Sequence, residues 1–160
     1  MGLQSWKKEF YPITATELAH QTDDKQIIIA HSLRKWQGAL PENLKKHNVV
    51  FKRGDLYSKW ARKHTSGYIA FNDTSCSLCA KYHYSSLSHH GCHSCPLYQV
   101  RGNVPCYDEK RGEELSPYDA FTGTYYDDRW LHEPRPMIMW LKKTLAKYGK
   151  KKAKRVKRKP

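Results

Sequence analysis

Residues 76–106 read CSLCAKYHYSSLSHHGCHSCPLYQVRGNVPC and hold all five cysteines of the 160-residue chain. Four of them form two Cys-x2-Cys pairs, Cys76/Cys79 and Cys92/Cys95, with twelve residues between the pairs. A Cys-x2-Cys turn brings two thiolates to one side of the backbone, and two such turns supply the four ligands of a tetrahedral zinc site at about 2.3 Å. Structural Zn²⁺ at Cys76, Cys79, Cys92 and Cys95 is therefore the expected cofactor. Cys106 has three possible roles: a substitute for one of the four, an inert buried thiol, or a nucleophile. His83, His89, His90 and His93 lie in or beside the segment, so a Cys3His set also meets zinc's preferences; as single residues they read as loop histidines. An iron–sulfur cluster could use four cysteines, and Cys95-Pro96 faintly echoes ferredoxins, but the ferredoxin spacing is absent.

The segment is too poor in apolar residues to hold its own shape, so the fold has to be built around it. At this length the chain is one domain, large enough for a modest core and small enough to gain from a metal staple. The expected class is mainly α (α+β): helices packed around a small knuckle or ribbon-like module at 68–106. A domain over 1–148 is followed by a disordered basic tail, 149–160. The net charge of +14 and a pI near 9.6 make a polyanion the first partner to consider. No run approaches the ~18 apolar residues that span a bilayer, and the first twenty residues lack a signal-peptide core. A reducing cytoplasm is the expected setting, where clustered thiols bind metal more often than they pair.

Upstream of the cysteines, Trp6 to Pro12 reads as an extended arm with Trp6, Phe10 and Tyr11 packed on the core. Thr14 to Glu17 fits a capping box, flanked by Ile13 and Leu18, and opens a short helix to about His20. Thr22-Asp23-Asp24 is a second start signal. Ile29, Leu33, Trp36 and Leu40 then mark one helical stripe, with His31 at the core edge and Gly38 and Pro41 ending it. Pro41 also opens the next turn.

Lys45, Lys46, Lys52, Arg53, Lys59, Arg62 and Lys63 face only Asp55, with Phe51, Tyr57 and Trp60 interleaved. Cations neutralise phosphates and aromatic faces stack on bases, which makes a nucleic-acid surface. A solvated basic face with Leu56 and Trp60 turned inward fits equally well. Residues 67–71 alternate and read as a strand leading into the first cysteine pair.

The pattern S-C-S-L-C at 75–79, G-C-x-x-C-P-L at 91–97, Cys106 and S-P-Y at 116–118 resembles a group of small uncharacterised phage and prophage proteins. His31-Ser32-Leu33-x-Lys35-Trp36, Pro41-Glu42-Asn43-Leu44 and Met137-Ile138-x-x-Leu141 resemble the same group. The resemblance spans most of 6–146, leaving aside the 52–67 stretch and the tail. It implies a phage-encoded protein working in the bacterial cytoplasm, and that Cys106 belongs to the cysteine module. It implies no activity.

Beyond the module, residues 107–133 carry eight acidic side chains against Lys110, Arg111 and Arg129. Ser116-Pro117 opens a helix with Tyr118, Phe121 and Tyr125 on its inner face. Asp127 and Asp128 are adjacent and nothing nearby completes a Mg²⁺ site, so they read as a solvated face. Pro134 and Pro136 precede a last helix with Ile138, Leu141, Leu145 and Tyr148 on one stripe, ended by Gly149. From Lys147 to Pro160 there are nine basic residues and no acid, including Lys150, Lys151, Lys152, Lys154, Arg155, Lys157, Arg158 and Lys159. Such a tail binds DNA or RNA electrostatically, without sequence preference, or folds back on the acidic stretch.

The expected function is thus a zinc-stabilised accessory protein that binds nucleic acid or a host nucleoprotein complex without catalysis. The alternative is a protein-binding inhibitor of a host enzyme or defence system, acting through 118–130. No catalytic constellation is assembled in the sequence.

Overall fold

Leu3, Trp6 and Phe10 recur at spacings of three and four, and they are the buried stripe of helix α1 (Leu3–Phe10). The extended arm expected at Trp6–Pro12 is therefore corrected to a helix; Tyr11 is its C-cap, and Pro12 cannot continue it. Its packing is as expected: Trp6 is fully buried and its Nε1–H donates to the Gly38 carbonyl at 2.8 Å. The structure, a computed structural model, describes residues 2–52, 55–58, 68–84, 92–107, 116–122 and 133–156.

The capping box forms as read: Thr14 Oγ1 accepts from the Glu17 amide at 3.2 Å and the Glu17 carboxylate accepts from the Thr14 amide at 2.9 Å. It opens α2 (Ala15–Gln21). The Asp24 carboxylate accepts from the Gln26 amide at 2.9 Å and opens α3 (Lys25–Gly38). Ile28, Ile29, Leu33 and Trp36 on α3 are buried, and Pro41 starts α4 (Pro41–His47). His31 sits at the core edge as expected, with its Nε2 2.9 Å from the Ile13 carbonyl.

Asn48 ends α4 in the left-handed region at φ 53, a conformation asparagine tolerates. It turns the chain into a three-stranded antiparallel sheet in the order β1 (Val49–Lys52), β2 (Asp55–Ser58), β3 (Tyr68–Ala70). Val49 pairs with Ser58 and Tyr57 with Tyr68. The last strand matches the sequence reading. The β1–β2 hairpin was hidden by the charge of 45–63, although Val49-Val50-Phe51 carries the β-branched and aromatic signal.

Short helices α5 (Ser77–Tyr82), α6 (Pro96–Val100) and α7 (Asp119–Thr122) follow, then the long α8 (Arg135–Val156). α3 packs most extensively against α8, and α6 lies on α8 as well. Phe121 closes the centre, its ring 4.8 Å from Trp36, 4.6 Å from Phe51 and 5.1 Å from Phe71. α8 does not stop at Gly149 but runs to Val156. Lys, Ala and Arg are strong helix formers, and cations are favoured at a helix C-terminus, which offsets the ~1 kcal/mol cost of one glycine. The tail expected to be disordered from residue 149 is thus helical over its first part; 157–160 lie outside the described residues. The molecule is mainly helical with one small sheet. No helix among the described residues is long and apolar enough to cross a membrane.

Candidate metal centre

Cys76 sits at the N-cap of α5 and Cys79 one turn inside it, while Cys95 occupies the N-cap of α6. Each Cys-x2-Cys pair therefore adjoins a helix. The reason is local: Ser77-Leu-Cys-Ala-Lys-Tyr is helix-compatible, and Pro96 is pre-set for a first helical position.

α3 holds this arrangement. The Ser77 hydroxyl, fully buried, donates to the Ile28 carbonyl at 2.9 Å and lies 2.6 Å from the Ser32 hydroxyl. Ser32 in turn lies 3.7 Å from the Cys76 sulfur. Lys35 is buried and its ammonium donates to the Ala70 and Ser75 carbonyls at 2.6 and 2.9 Å. That ammonium also faces the Tyr11 and Phe71 rings at 4.7 Å each. Lys35 thus clamps the turn 70–75 that delivers Cys76. Downstream, the Tyr118 amide donates to the Cys106 carbonyl at 3.1 Å and its hydroxyl to the Phe71 carbonyl at 2.8 Å. The two bonds anchor the Cys106 turn to the same strand end.

All five cysteines line one cavity of ≈ 270 Å³, walled by Trp36, Phe71, Leu78, Leu97, Met137 and Leu141. Cys106, to which the sequence left three roles, thus shares a wall with the other four. His83, the C-cap of α5, borders the same cavity, and its Nδ1 is buried with no hydrogen-bond partner among the described residues. His93 is exposed, its ring 5.0 Å from Tyr98. His89 and His90 lie outside the described residues.

The thiols sense one another. A hydrogen bond from Cys79 pulls the Cys76 thiol down to about 6 against its burial, helped by Ser32 and Lys35. Its partner Cys79 is pushed up, first by that same bond and then by burial and by Cys76, Cys106 and Cys95. Burial raises Cys95 to about 12 and raises Cys106 as well, with neighbouring cysteine charges adding to both. Burial likewise lowers the Lys35 ammonium to about 7, with Cys76 opposing. Like charges crowded into an apolar cavity resist ionisation, and a bound cation reverses that. Among the described residues no group of three or more His, Cys, Asp or Glu side chains is arranged as an ion-binding cluster. The donor types in the lining, five thiols and an imidazole nitrogen without a hydrogen-bond partner among the described residues, are nevertheless those a thiophilic ion takes.

Of the basic residues singled out in the sequence, only part lie among the described residues. Lys45 and Lys46 are exposed on the last turn of α4, where cations favour the helix end, and Lys46 pairs with Glu9 at 2.7 Å. Lys52 ends β1, while Arg53, Lys59, Trp60, Arg62 and Lys63 lie outside the described residues. Lys150, Lys151, Lys152, Lys154 and Arg155 fall on the last turns of α8; Lys157, Arg158 and Lys159 lie beyond it. Tyr125, Asp127 and Asp128 are outside the described residues.

The sequence reading missed Trp140. Lys143 sits 4.5 Å from its ring and Arg101, from the end of α6, 5.9 Å. Trp140, Lys143 and Lys147 recur at spacings of three and four, so they share a face of α8 that flanks its buried stripe, with Trp140 half-buried against the core. That periodicity was present in the sequence beside the apolar one.

Ser5, His47 and Glu9 form a chain with the polar contacts of a Ser–His–Glu triad, at 2.6 and 2.9 Å. The Ser5 hydroxyl, however, already bonds both backbone groups of Gly2 at α1's start. The chain ties α1 to α4.

Comparison with known protein families, with curated proteins and with solved structures finds no match to this chain.

Proposed function

We propose that this is a phage-encoded, zinc-stabilised accessory protein that binds DNA or RNA without catalysing a reaction. The observation that carries the reading is that α8 serves both parts. Met137 and Leu141 on its inner face wall the cysteine cavity. Flanking that face are Trp140 and Lys143, and the helix continues into Lys150–Arg155. A cation-rich helix with a half-buried indole at its edge suits a phosphate backbone with a base stacked beside it. Zinc held by Cys76, Cys79, Cys92 and Cys95, or with Cys106 in place of one of them, would fix α5 and α6 and through them the seat of α8.

The test is binding of the purified chain to single- and double-stranded DNA and RNA across a salt series. Affinity should be measurable at ~50 mM salt and fall steeply with added salt. Removing residues 149–160 should flatten the slope, and Trp140→Ala should weaken single-strand binding by ~1–3 kcal/mol if a base stacks there. Absence of binding at low salt sinks the reading. A stoichiometric protein partner captured from nuclease-treated host lysate would instead favour the inhibitor alternative.

A further inference from the structure

One tetrahedral zinc takes four donors, whereas the cavity wall offers six. They come from three segments: Cys76, Cys79 and His83 from α5 and its cap, Cys92 and Cys95 from the turn into α6, and Cys106 from the turn after it. With one ion bound to four cysteines, the fifth thiol and the imidazole stand idle. An idle buried thiol costs little, since cysteine behaves as a small apolar residue. The imidazole differs, because His83 Nδ1 is buried with no hydrogen-bond partner among the described residues. A lone buried acceptor or donor costs ~1–3 kcal/mol, and a neutral ring nitrogen in that position is a ready metal ligand.

We propose that the cavity holds two zinc ions, bridged by thiolates, with His83 and Cys106 completing the donor set. This deepens the zinc reading above and rests on it. Two tetrahedral ions have eight coordination positions. Six donors fill eight positions when two of them bridge. Thiolate sulfur has the lone pairs to bridge and the imidazole nitrogen does not, so both bridges are cysteines and His83 is terminal.

Charge points the same way. Four thiolates around one Zn²⁺, with the fifth thiol protonated, leave −2 in an apolar pocket, a burial that low dielectric opposes. A second ion reduces this to −1 with the fifth thiol ionised, beside the Lys35 ammonium that clamps the Cys76 turn. Room is available: the cavity measures ≈ 270 Å³, and paired ions in protein sites stand only ~3.5–4 Å apart.

The experiment is native mass spectrometry and elemental analysis of the full chain purified from zinc-supplemented cells. Two zinc ions per chain are expected. Cys106→Ser and His83→Ala should each retain one ion while keeping the wild-type helical circular dichroism. One zinc in the wild type overturns the second ion and leaves the single-zinc reading standing. No metal, or iron with acid-labile sulfide, overturns both. Cobalt(II) substitution of the wild type decides the matter if the variants do not fold. A high-spin EPR signal that grows to one equivalent and then declines as the second ion couples through sulfur supports the bridged pair. A signal that grows in proportion up to two equivalents, or stops at one, refutes it.

Discussion

Gly38 owes its identity to the indole opposite. A Cβ built there would lie 2.4 Å from Trp6 Cζ2 and 2.7 Å from Phe10 Cγ. Alanine gains up to ~1 kcal/mol of helix propensity over glycine, but overpacking costs ~1–3 kcal/mol and would also dislodge the bond from Trp6 to the Gly38 carbonyl. Gly38→Ala is expected to lower stability by ~1–3 kcal/mol, read as a shift of the urea midpoint at unchanged slope. A second residue-scale effect belongs to His31. Burial holds its imidazole below the usual 6.5, against the Ile13 carbonyl and with Lys35 and Arg34 adding to the depression. The unfolded chain therefore takes up this proton more readily, so the contribution of His31 is complete above pH ~6.5 and fades as the pH falls. His31→Gln should show a shallower loss of stability between pH 7.5 and 5 than the wild type; parallel curves would refute this. The sequence showed His31 as a core-edge residue. It could not show why position 38 is glycine, because the opposing indole belongs to another helix.

At the scale of elements, start signals were legible wherever the deciding contact is local. The Thr14–Glu17 box, the Asp24 cap and Pro41 all act within three residues of their own helix, and all three appear where read. α1 was missed although its stripe was present, because the aromatic run ending at Pro12 suggested extended chain. The tie between α3 and α5 was invisible for a different reason: Ser32 and Ser77 are 45 residues apart and neither is unusual alone. Their effect on the cysteines is testable through Lys35, which clamps the turn before Cys76. Lys35→Met keeps the volume and removes both carbonyl bonds. Partners of this kind typically change metal affinity ~10–100-fold, so zinc should pass to a competing chelator at a correspondingly lower chelator concentration. Unchanged competition would reduce Lys35 to a purely structural role.

For the whole molecule, the cysteine spacing indicated a centre to pack around, and all five thiols do face one cavity. The sequence offered Cys106 and His83 as possible members of the site, but not their place on the same wall, which depends on how α6 and α8 close it. On the proposed zinc reading, removing the metal should loosen that wall. At zinc a hundredfold above its dissociation constant, binding adds ~2.7 kcal/mol, so chelation should lower Tm by roughly 5–10 °C. Amides of α5 and α6 should then lose hydrogen-exchange protection before those of α3. A chain whose Tm and exchange pattern ignore chelation would remove the metal from the account.

The pairing of α3 with α8 has a consequence in time. Among the described residues these helices form the most extensive helix contact, yet Arg135 follows Gly38 by nearly a hundred residues. At ~5–20 residues per second, a ribosome leaves α3 without its partner for roughly 5–20 s. Throughout that interval Ile28 and Ile29, fully covered in the finished molecule, wait for the chain's last helix. Synthesis is thus this protein's most aggregation-prone moment, and slowing translation between residues 107 and 133 should lower its soluble yield without altering a single side chain.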